Sequence, residues 1–412
     1  MIRYFKFIFK LLLHPLYLFS KTIPRDDNKW VFGTHTASFS ENAKYLFIRV
    51  NEEYPGIKAI WIAENKRTKA KVRSLGFKSY LWYDLAGIWH CFTARVHVCT
   101  DGAYDTSRYT TGGALLVYLG HGIGIKKTRW RRPESTWKNA FGYSPKQMRH
   151  SFMAKIDTFF YLFRVPDLCL VTSKQQEWSY SFTFRISPEQ CVKGGYPRNE
   201  ILSWSKPRLK PFIEKYEPAG AIHFVESLAN YKKVYIYMPT WRNDGGDFIK
   251  ECQIDFWKLE ETLAATDRAF ILKLHPYTKL DVSAIEECPH IFIFDKQFDV
   301  YTILPFTDCL ITDYSSIYTD YLLMEKEIIL FPFDMEKFLK ISGGLDDYDE
   351  YYPGRRVFTF NELIALIANG TDCHLQAKDY KHIMDTFWDS RNNGLDLVTE
   401  ITKRVKSNNK QQ

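Results

Sequence analysis

Four short stretches of this chain put small, basic or hydrogen-bonding residues directly after an apolar run. After Leu119 come Gly120, His121, Gly122, Ile123 and Gly124, then Lys126 and Lys127. After Met238 come Pro239, Thr240, Trp241 and Arg242; after Leu274 come His275 and Pro276; after Ile311 come Thr312, Asp313, Tyr314, Ser315 and Ser316. Histidine is the side chain whose ordinary pKa lies nearest neutrality, so His121 and His275 are candidates for general base and general acid, each role giving about 10²–10⁴ in rate. An arginine just past a strand, such as Arg242, can grip a phosphate with a bidentate fork, although lone arginines there more often form surface ion pairs. Asp313–Ser316 precedes the apparent helix IYTDYLLMEK, so its hydroxyls and backbone N–H groups would sit at a helix start, where anions bind. An ordinary Asp/Ser cap explains that motif taken alone. The other three stretches favour an anion site. The remaining histidines singled out, His14, His90, His97, His150, His223, His290, His374 and His382, read as structural.

The elements needed to position these residues are visible as continuous apolar runs. They are centred on Trp30–Gly33, Ala59–Ile62, Val96–Cys99, Leu115–Leu119 and Leu168–Val171 in the first half. The second half has Val234–Met238, Phe270–Leu274, Ile291–Phe294, Cys309–Ile311 and Ile328–Phe331. Such runs suit strands buried on both faces of a parallel sheet, and their alternation with helical stretches suits βαβ units. In open α/β sheets ligands bind beyond the carboxyl ends of the strands, which is where the four stretches lie. The predicted fold is therefore α/β, with two Rossmann-like domains facing a cleft (the GT-B architecture) and an N-terminal amphipathic helix. The proline- and charge-containing segment 203–221 reads as a linker. The predicted organisation is a membrane-interface helix over 1–24, an acceptor-side domain over 25–205, a donor-binding domain over 206–400 and a frayed tail over 401–412.

At 412 residues the chain is long enough for two cores, and 45% hydrophobic with 25% charged residues is a globular balance. A net charge of +8 suits an anionic partner. No Lys/Arg-rich tract or zinc-finger spacing points to nucleic acid. Eight cysteines without a C-x-x-C pair read as buried thiols in a reducing compartment, not as a nucleophile or a zinc site. The carboxylates are not read as a metal site, and Asp346–Asp347 reads as a solvated loop. The first 21 residues are interrupted by Lys6, Lys10, His14 and Pro15, too polar for a transmembrane helix. Arg3, Lys6 and Lys10 fall on one helical face and Phe5, Phe9, Leu12, Leu13 and Leu16 largely on the other. That pattern suits a helix lying in an anionic membrane interface, with a core-packing helix as the alternative.

Taken in order, FSENAKYL (39–46), LGHGIGIKK (119–127), GYPRNE (195–200), YMPTWR (237–242), LKLHP (272–276), TDYSSIYTDYLL (312–323), FPFD (331–334) and DYDEYYPG, ending at Gly354, resemble the CDP-glycerol glycerophosphotransferase family. These are the primases and polymerases of teichoic acids, and the resemblance runs from about residue 30 to about 395. It implies a GT-B fold, no cofactor or metal, peripheral attachment at the cytoplasmic face of the bacterial inner membrane, and catalytic roles for His121 and His275. It also implies that Arg242, Ser315 and Ser316, with Asp313 and Thr240 from the same motifs, hold the donor's pyrophosphate. Asn42, Gly120, Gly122 and Lys126 are implied on the acceptor-side loop. The implied reaction moves glycerol phosphate from a CDP-activated donor to a lipid-linked or polymer acceptor, with release of CMP. The family's H-G-T-P-L-K here reads His121-Gly122-Ile123-Gly124-Ile125-Lys126, which keeps CDP-ribitol open as donor. A nucleotide-sugar glycosyltransferase of the same architecture is the alternative enzyme, and a basic scaffold for anionic lipid or polymer is the non-catalytic one.

Overall fold

A computed structural model describes residues 13–34, 38–127, 131–134, 144–152, 154–156, 164–242, 251–274, 285–342 and 344–409. The chain forms two compact units: unit 1 takes residues 1–121, 137–198 and 386–412, and unit 2 takes 122–136 and 199–385.

Unit 1 is built on seven strands, β1 (Asp26–Phe32), β2 (Lys58–Ala63), β3 (Ser79–Leu81), β4 (Ala94–Cys99), β5 (Leu115–Tyr118), β6 (Leu168–Val171) and β7 (Cys191–Lys193). They pair in the order β3-β2-β1-β4-β5-β6-β7, all parallel. The apolar ends of β1 and β2 and the whole of β5 and β6 are buried, as continuous runs require. Helix Glu41–Glu53 packs on the sheet through Phe47, whose ring meets Phe32 and Trp61 edge-on at centroid distances of 5.3 and 5.5 Å.

Unit 2 has six parallel strands, β8 (Lys233–Tyr237), β9 (Arg268–Leu272), β10 (Ile291–Ile293), β11 (Cys309–Thr312), β12 (Glu327–Leu330) and β13 (Arg355–Arg356). Their order is β10-β9-β8-β11-β12-β13. Its core joins Tyr235, Phe270, Leu272, Ile311 and Ile329 of the sheet to Leu259, Leu263, Leu363 and Ile367 of two helices. Those helices, Phe256–Thr266 and Phe360–Asn369, start at side-chain caps from Asp255 and Thr359. In each sheet the strand order reverses once, between β1 and β4 and between β8 and β11. Such a reversal is the place where open α/β sheets bind ligands, beyond the carboxyl ends of the strands.

All ten apolar runs are strands, whereas β3, β7 and β13, two or three residues long, carried no run to find. Two expectations are corrected. The segment 203–221 is not an open linker. It forms the helix Lys206–Tyr216 and enters a second, Ala219–Ser227. Leu209, Ile213 and Tyr216 are buried at helical spacing, and Pro207 sits in the first turn, where its missing N–H is harmless. The tail is not frayed over 401–409 either: helix Leu397–Asn409 continues past residue 401 and buries Val398, Ile401 and Val405 within unit 1, while 410–412 lie outside the described residues. Residues 1–12 of the expected interface helix lie outside the described residues, while 13–20 are helical. No described helix is long and apolar enough to cross a membrane.

Candidate functional site

In unit 1, His121 stands two residues past Leu119, at the end of β5. Its loop is held from below. The Asn42 amide donates to Gly120 O at 2.8 Å and to Leu119 O at 3.3 Å, and its own oxygen accepts from Arg198 N at 3.2 Å. Gly120 has φ of +69°, and a Cβ there would lie 2.8 Å from the Tyr180 hydroxyl and 2.9 Å from that of Tyr196. Only glycine fits both the left-handed backbone and the tyrosine floor. The imidazole itself is exposed, with Nδ1 at 3.5 Å from Thr100 O and 4.0 Å from Asp101 Oδ1. A carboxylate on that side of a histidine favours the tautomer that leaves Nε2 free to accept a proton.

Sequence reasoning passed over the loop that carries Asp101. Buried Asp105 organises it: Oδ2 accepts from Thr100 N at 2.8 Å and Asp101 N at 2.9 Å, while Oδ1 is buried with no hydrogen-bond partner among the described residues. Burial pushes this carboxyl up to about 7, against the pull of those backbone donors. Nothing in the run Thr100–Asp105 distinguishes it from an ordinary polar loop, so no sequence signal was present.

In unit 2, the ends of β8, β11 and β12 meet around buried Asp313. Its carboxylate accepts from Thr240 N at 2.9 Å and Tyr314 N at 2.5 Å and lies 2.8 Å from Arg242 Nη2. Arg242 also makes a fork on Asp334, Nε to Oδ2 at 2.7 Å and Nη2 to Oδ1 at 2.8 Å, and Nη1 donates to Thr240 O. Burial alone would lower this guanidinium's pKa, but Asp313 and Asp334 outweigh it and hold the group charged. The fork expected on a phosphate thus braces three strand ends. Ser315 and Ser316 are half-buried, and the Thr240 hydroxyl is buried with no partner among the described residues. The α-helix that follows is the short Ile317–Tyr321, continued by a 3-10 turn.

The segment from Gly122 belongs to unit 2, not to the N-terminal half in which Gly122 and Lys126 were expected. Thr319 Oγ1 donates to Ile123 O at 2.8 Å, Asp346 N to Ile125 O at 2.7 Å, and Lys127 N to Gly344 O at 3.2 Å. Lys126 pairs with Leu345 in an antiparallel bridge. Asp346 is not a solvated loop residue: its carboxylate takes the Arg131 guanidinium at 2.6 and 2.7 Å. Asp347 caps the helix Tyr348–Tyr351. His275 lies outside the described residues, so the structure brings together Thr240, Arg242, Asp313 and Lys126 but says nothing of the second histidine.

The cysteines are free and seven of the eight are buried. Burial pushes Cys91 and Cys252 up to about 12, the opposite of what a nucleophilic thiol needs. Among the described residues one trio, Glu327, Asp372 and His374, has its donor atoms close enough for a cation. Glu327 already faces Lys233 at 2.5 Å and Cys373 N at 3.1 Å, which leaves it a poor ligand. His97, fully buried between Thr106 and the Cys91 carbonyl, is structural as expected.

With these two clusters defined, comparison with known proteins is decisive. Residues 16–394 match the family model described as CDP-Glycerol:Poly(glycerophosphate) glycerophosphotransferase. The chain belongs to that family. Among curated relatives, a teichoic acid poly(glycerol phosphate) polymerase of Staphylococcus epidermidis is 24% identical over 85% of this chain and 46% of its own. The ribitol-phosphate polymerase TarL of Staphylococcus aureus is 28% identical over 46% of this chain and 33% of its own. The chain thus spans less than half the length of these relatives. A poly(glycerol phosphate) polymerase of Bacillus spizizenii is 22% identical over 84% of both chains. The wall teichoic acid polymerase TagF shares the fold with a TM-score of 0.71 at 19% identity, covering 100% of this chain and 97% of that one.

Proposed function

We propose that this glycerophosphotransferase-family chain transfers a polyol phosphate, glycerol phosphate or ribitol phosphate, from a CDP-activated donor to a hydroxyl of a teichoic-acid-like or capsular acceptor. The observation that carries the reading is the family match over residues 16–394, which contains both the His121 loop and the Thr240–Asp313–Ser316 cluster. Relatives named for glycerol phosphate and for ribitol phosphate both match, so the donor polyol is a matter for assay. One solved neighbour is a TagF variant soaked with CDPG, which supports a CDP-linked donor.

In the proposed reaction an acceptor hydroxyl oxygen attacks the β-phosphorus of the donor. The new P–O bond forms as the bond from that phosphorus to the bridging oxygen breaks, and CMP leaves with the electron pair. His121, exposed and with Nδ1 turned toward Thr100 O and Asp101, takes the hydroxyl proton at Nε2. Ser315, Ser316 and Thr240 supply hydrogen bonds to the phosphates, and His275 is proposed as the second catalytic histidine. Most of the effect is positioning and charge stabilisation, as in other phosphoryl transfers.

A membrane surface is the proposed setting. Leu85 and Trp89 are 88% and 61% exposed on one face of helix Leu85–Thr93, with exposed Trp82 and Tyr83 just before it. Phe92 of the same helix meets Phe19 of helix 13–20 at 6.2 Å, and Leu16, Leu18 and Phe19 of that helix are also exposed. Lys29 and Lys78 are close enough to lower the pKa of His90 on that helix, after burial as the first cause. Exposed aromatics beside lysines suit the interface of an anionic bilayer.

The test is CMP release from CDP-glycerol and from CDP-ribitol, with a membrane extract supplying acceptor. Wild type should release CMP in an acceptor-dependent way, and His121→Ala should lose about 10²–10⁴-fold of turnover while keeping its melting temperature. Sugar transfer from a nucleotide sugar, with no CMP from either CDP-polyol, would overturn the reading in favour of a glycosyltransferase.

A further inference from the structure

The cation that sequence alone points to for the donor's phosphates is Arg242, yet four of its five N–H donors are engaged with Asp334, Asp313 and the Thr240 carbonyl. Phosphate binding at Arg242 would require breaking a buried, well-formed pair, which leaves a carboxylate stranded. Unit 2 holds another cation beside it. The Lys126 ammonium is half-buried, lies 5.3 Å from the Phe338 ring centroid, and makes no hydrogen bond or ion pair among the described residues. Its backbone is pinned by the Leu345 bridge and by the flanking bonds at Ile125 O and Lys127 N, so the side chain is delivered from a fixed frame. The same strap crosses the serines: a Cβ on Gly124 would lie 3.3 Å from Ser316 Cβ. Lys126, Ser316 and the Thr240 hydroxyl are therefore borne on segments that converge on the Asp313 turn.

Resting on the reading that unit 2 takes the CDP-linked donor, we propose that the Lys126 ammonium, and not the Arg242 guanidinium, is the cation that meets the donor's diphosphate. Lysine is suited to this as a compact point charge on a reaching stem, while the arginine fork stays as the brace. The electrostatics agree. Burial pushes Lys126 down to about 8, Asp313 pulls it up, and Arg242 and Arg132 push it down further. Among the described residues the charged groups that act on it are thus Asp313, Arg242 and Arg132, with the Arg131–Asp346 pair beside the Leu345 bridge. None of these described groups is a histidine or thiol. A bound diphosphate stabilises the charged form, so binding above pH 8 draws a proton onto Lys126. Affinity is level below that pH and falls as pH rises through it.

The experiment is calorimetric titration of the full chain with CDP, CDP-glycerol and cytidine between pH 7 and 9.5. The variants are Lys126→Gln, Lys126→Arg and Ser316→Ala. Loss of a charge-assisted contact should weaken CDP binding by about 10- to 100-fold in Lys126→Gln and only a few-fold in Lys126→Arg, with cytidine unaffected. The wild-type affinity should fall above pH 8 with proton uptake, and Lys126→Gln should lose that dependence. If Lys126→Gln melts lower but binds CDP as wild type does, Lys126 is a counter-ion of Asp313 and the proposal is wrong. If wild type binds neither CDP nor CDP-glycerol, the donor reading itself fails and takes this inference with it.

Discussion

Asn42 is buried in the first turn of helix Glu41–Glu53, and both ends of its amide are engaged, one on the Gly120 carbonyl and one on Arg198 N. It touches no reacting atom in the proposed chemistry, so its part is to hold the loop that presents His121. Asn42→Ala should lower kcat by about tenfold or more while leaving the donor KM unchanged, since misplacement of a base costs rate rather than binding. Steady-state kinetics with CDP-glycerol decide it, and a change in KM alone would refute the role. Asp105 offers a second residue-scale test. Its folded carboxyl is raised to about 7 from an ordinary 3.8. The folded state therefore binds the extra proton, and Asp105's stabilising effect is full below pH 4 and is lost as pH rises through 7. Between pH 5 and 7 wild type should lose up to roughly 1 kcal/mol per pH unit relative to Asp105→Asn. Urea unfolding at several pH values would measure this, and parallel profiles would refute it.

Whole elements were misjudged where composition and packing pull in opposite directions. The last residues are polar enough to read as a frayed end, yet Val398, Ile401 and Val405 recur at helical spacing and bury one side of helix Leu397–Asn409. Arg404 ties the helix further, bonding Glu400 and the Glu189 carbonyl. Because Ile401 is fully buried, Ile401→Ala should cost about 2–5 kcal/mol through lost contacts and a cavity. A denaturation midpoint unchanged from wild type would show that the helix does not stabilise unit 1. The segment 203–221 failed for the same reason: three prolines suggested a linker, but Pro207 sits in a first turn and Pro218 precedes the next helix, and although Pro211 lies inside helix Lys206–Tyr216 the buried stripe of Leu209, Ile213 and Tyr216 decided the outcome.

On the scale of the whole molecule, the +8 charge and the exposed aromatic face are properties of surface, and they meet in the membrane proposal. The full chain should co-sediment with anionic vesicles better than with zwitterionic ones. The triple change Trp82→Ser, Leu85→Ser, Trp89→Ser should reduce that binding several-fold without lowering the melting temperature. High salt should weaken the electrostatic part and leave the apolar part. Equal binding by wild type and the triple variant would move the contact elsewhere, residues 1–12 being the next candidates.

What the sequence determined by itself was the set of buried strands and the position of polar groups just past them. A strand covered on both faces must be a continuous apolar run, and a ligand site in such a sheet must follow the run's carboxyl end. His121, Thr240, Asp313, Ser315 and Ser316 were all found that way, and the ordered motifs then pointed to the family. Tertiary structure alone decided which partner each side chain has. Arg242 was read as a phosphate ligand because its type and place allow one, but Asp334, far along the chain, occupies its fork. Lys126 sits five residues after His121, yet its strap is bound to Gly344–Asp346 in unit 2. Asp105 gained its role from burial, which no local pattern encodes. Residue type states what a group can do, but long-range contacts determine which charges are already neutralised and which remain for a ligand.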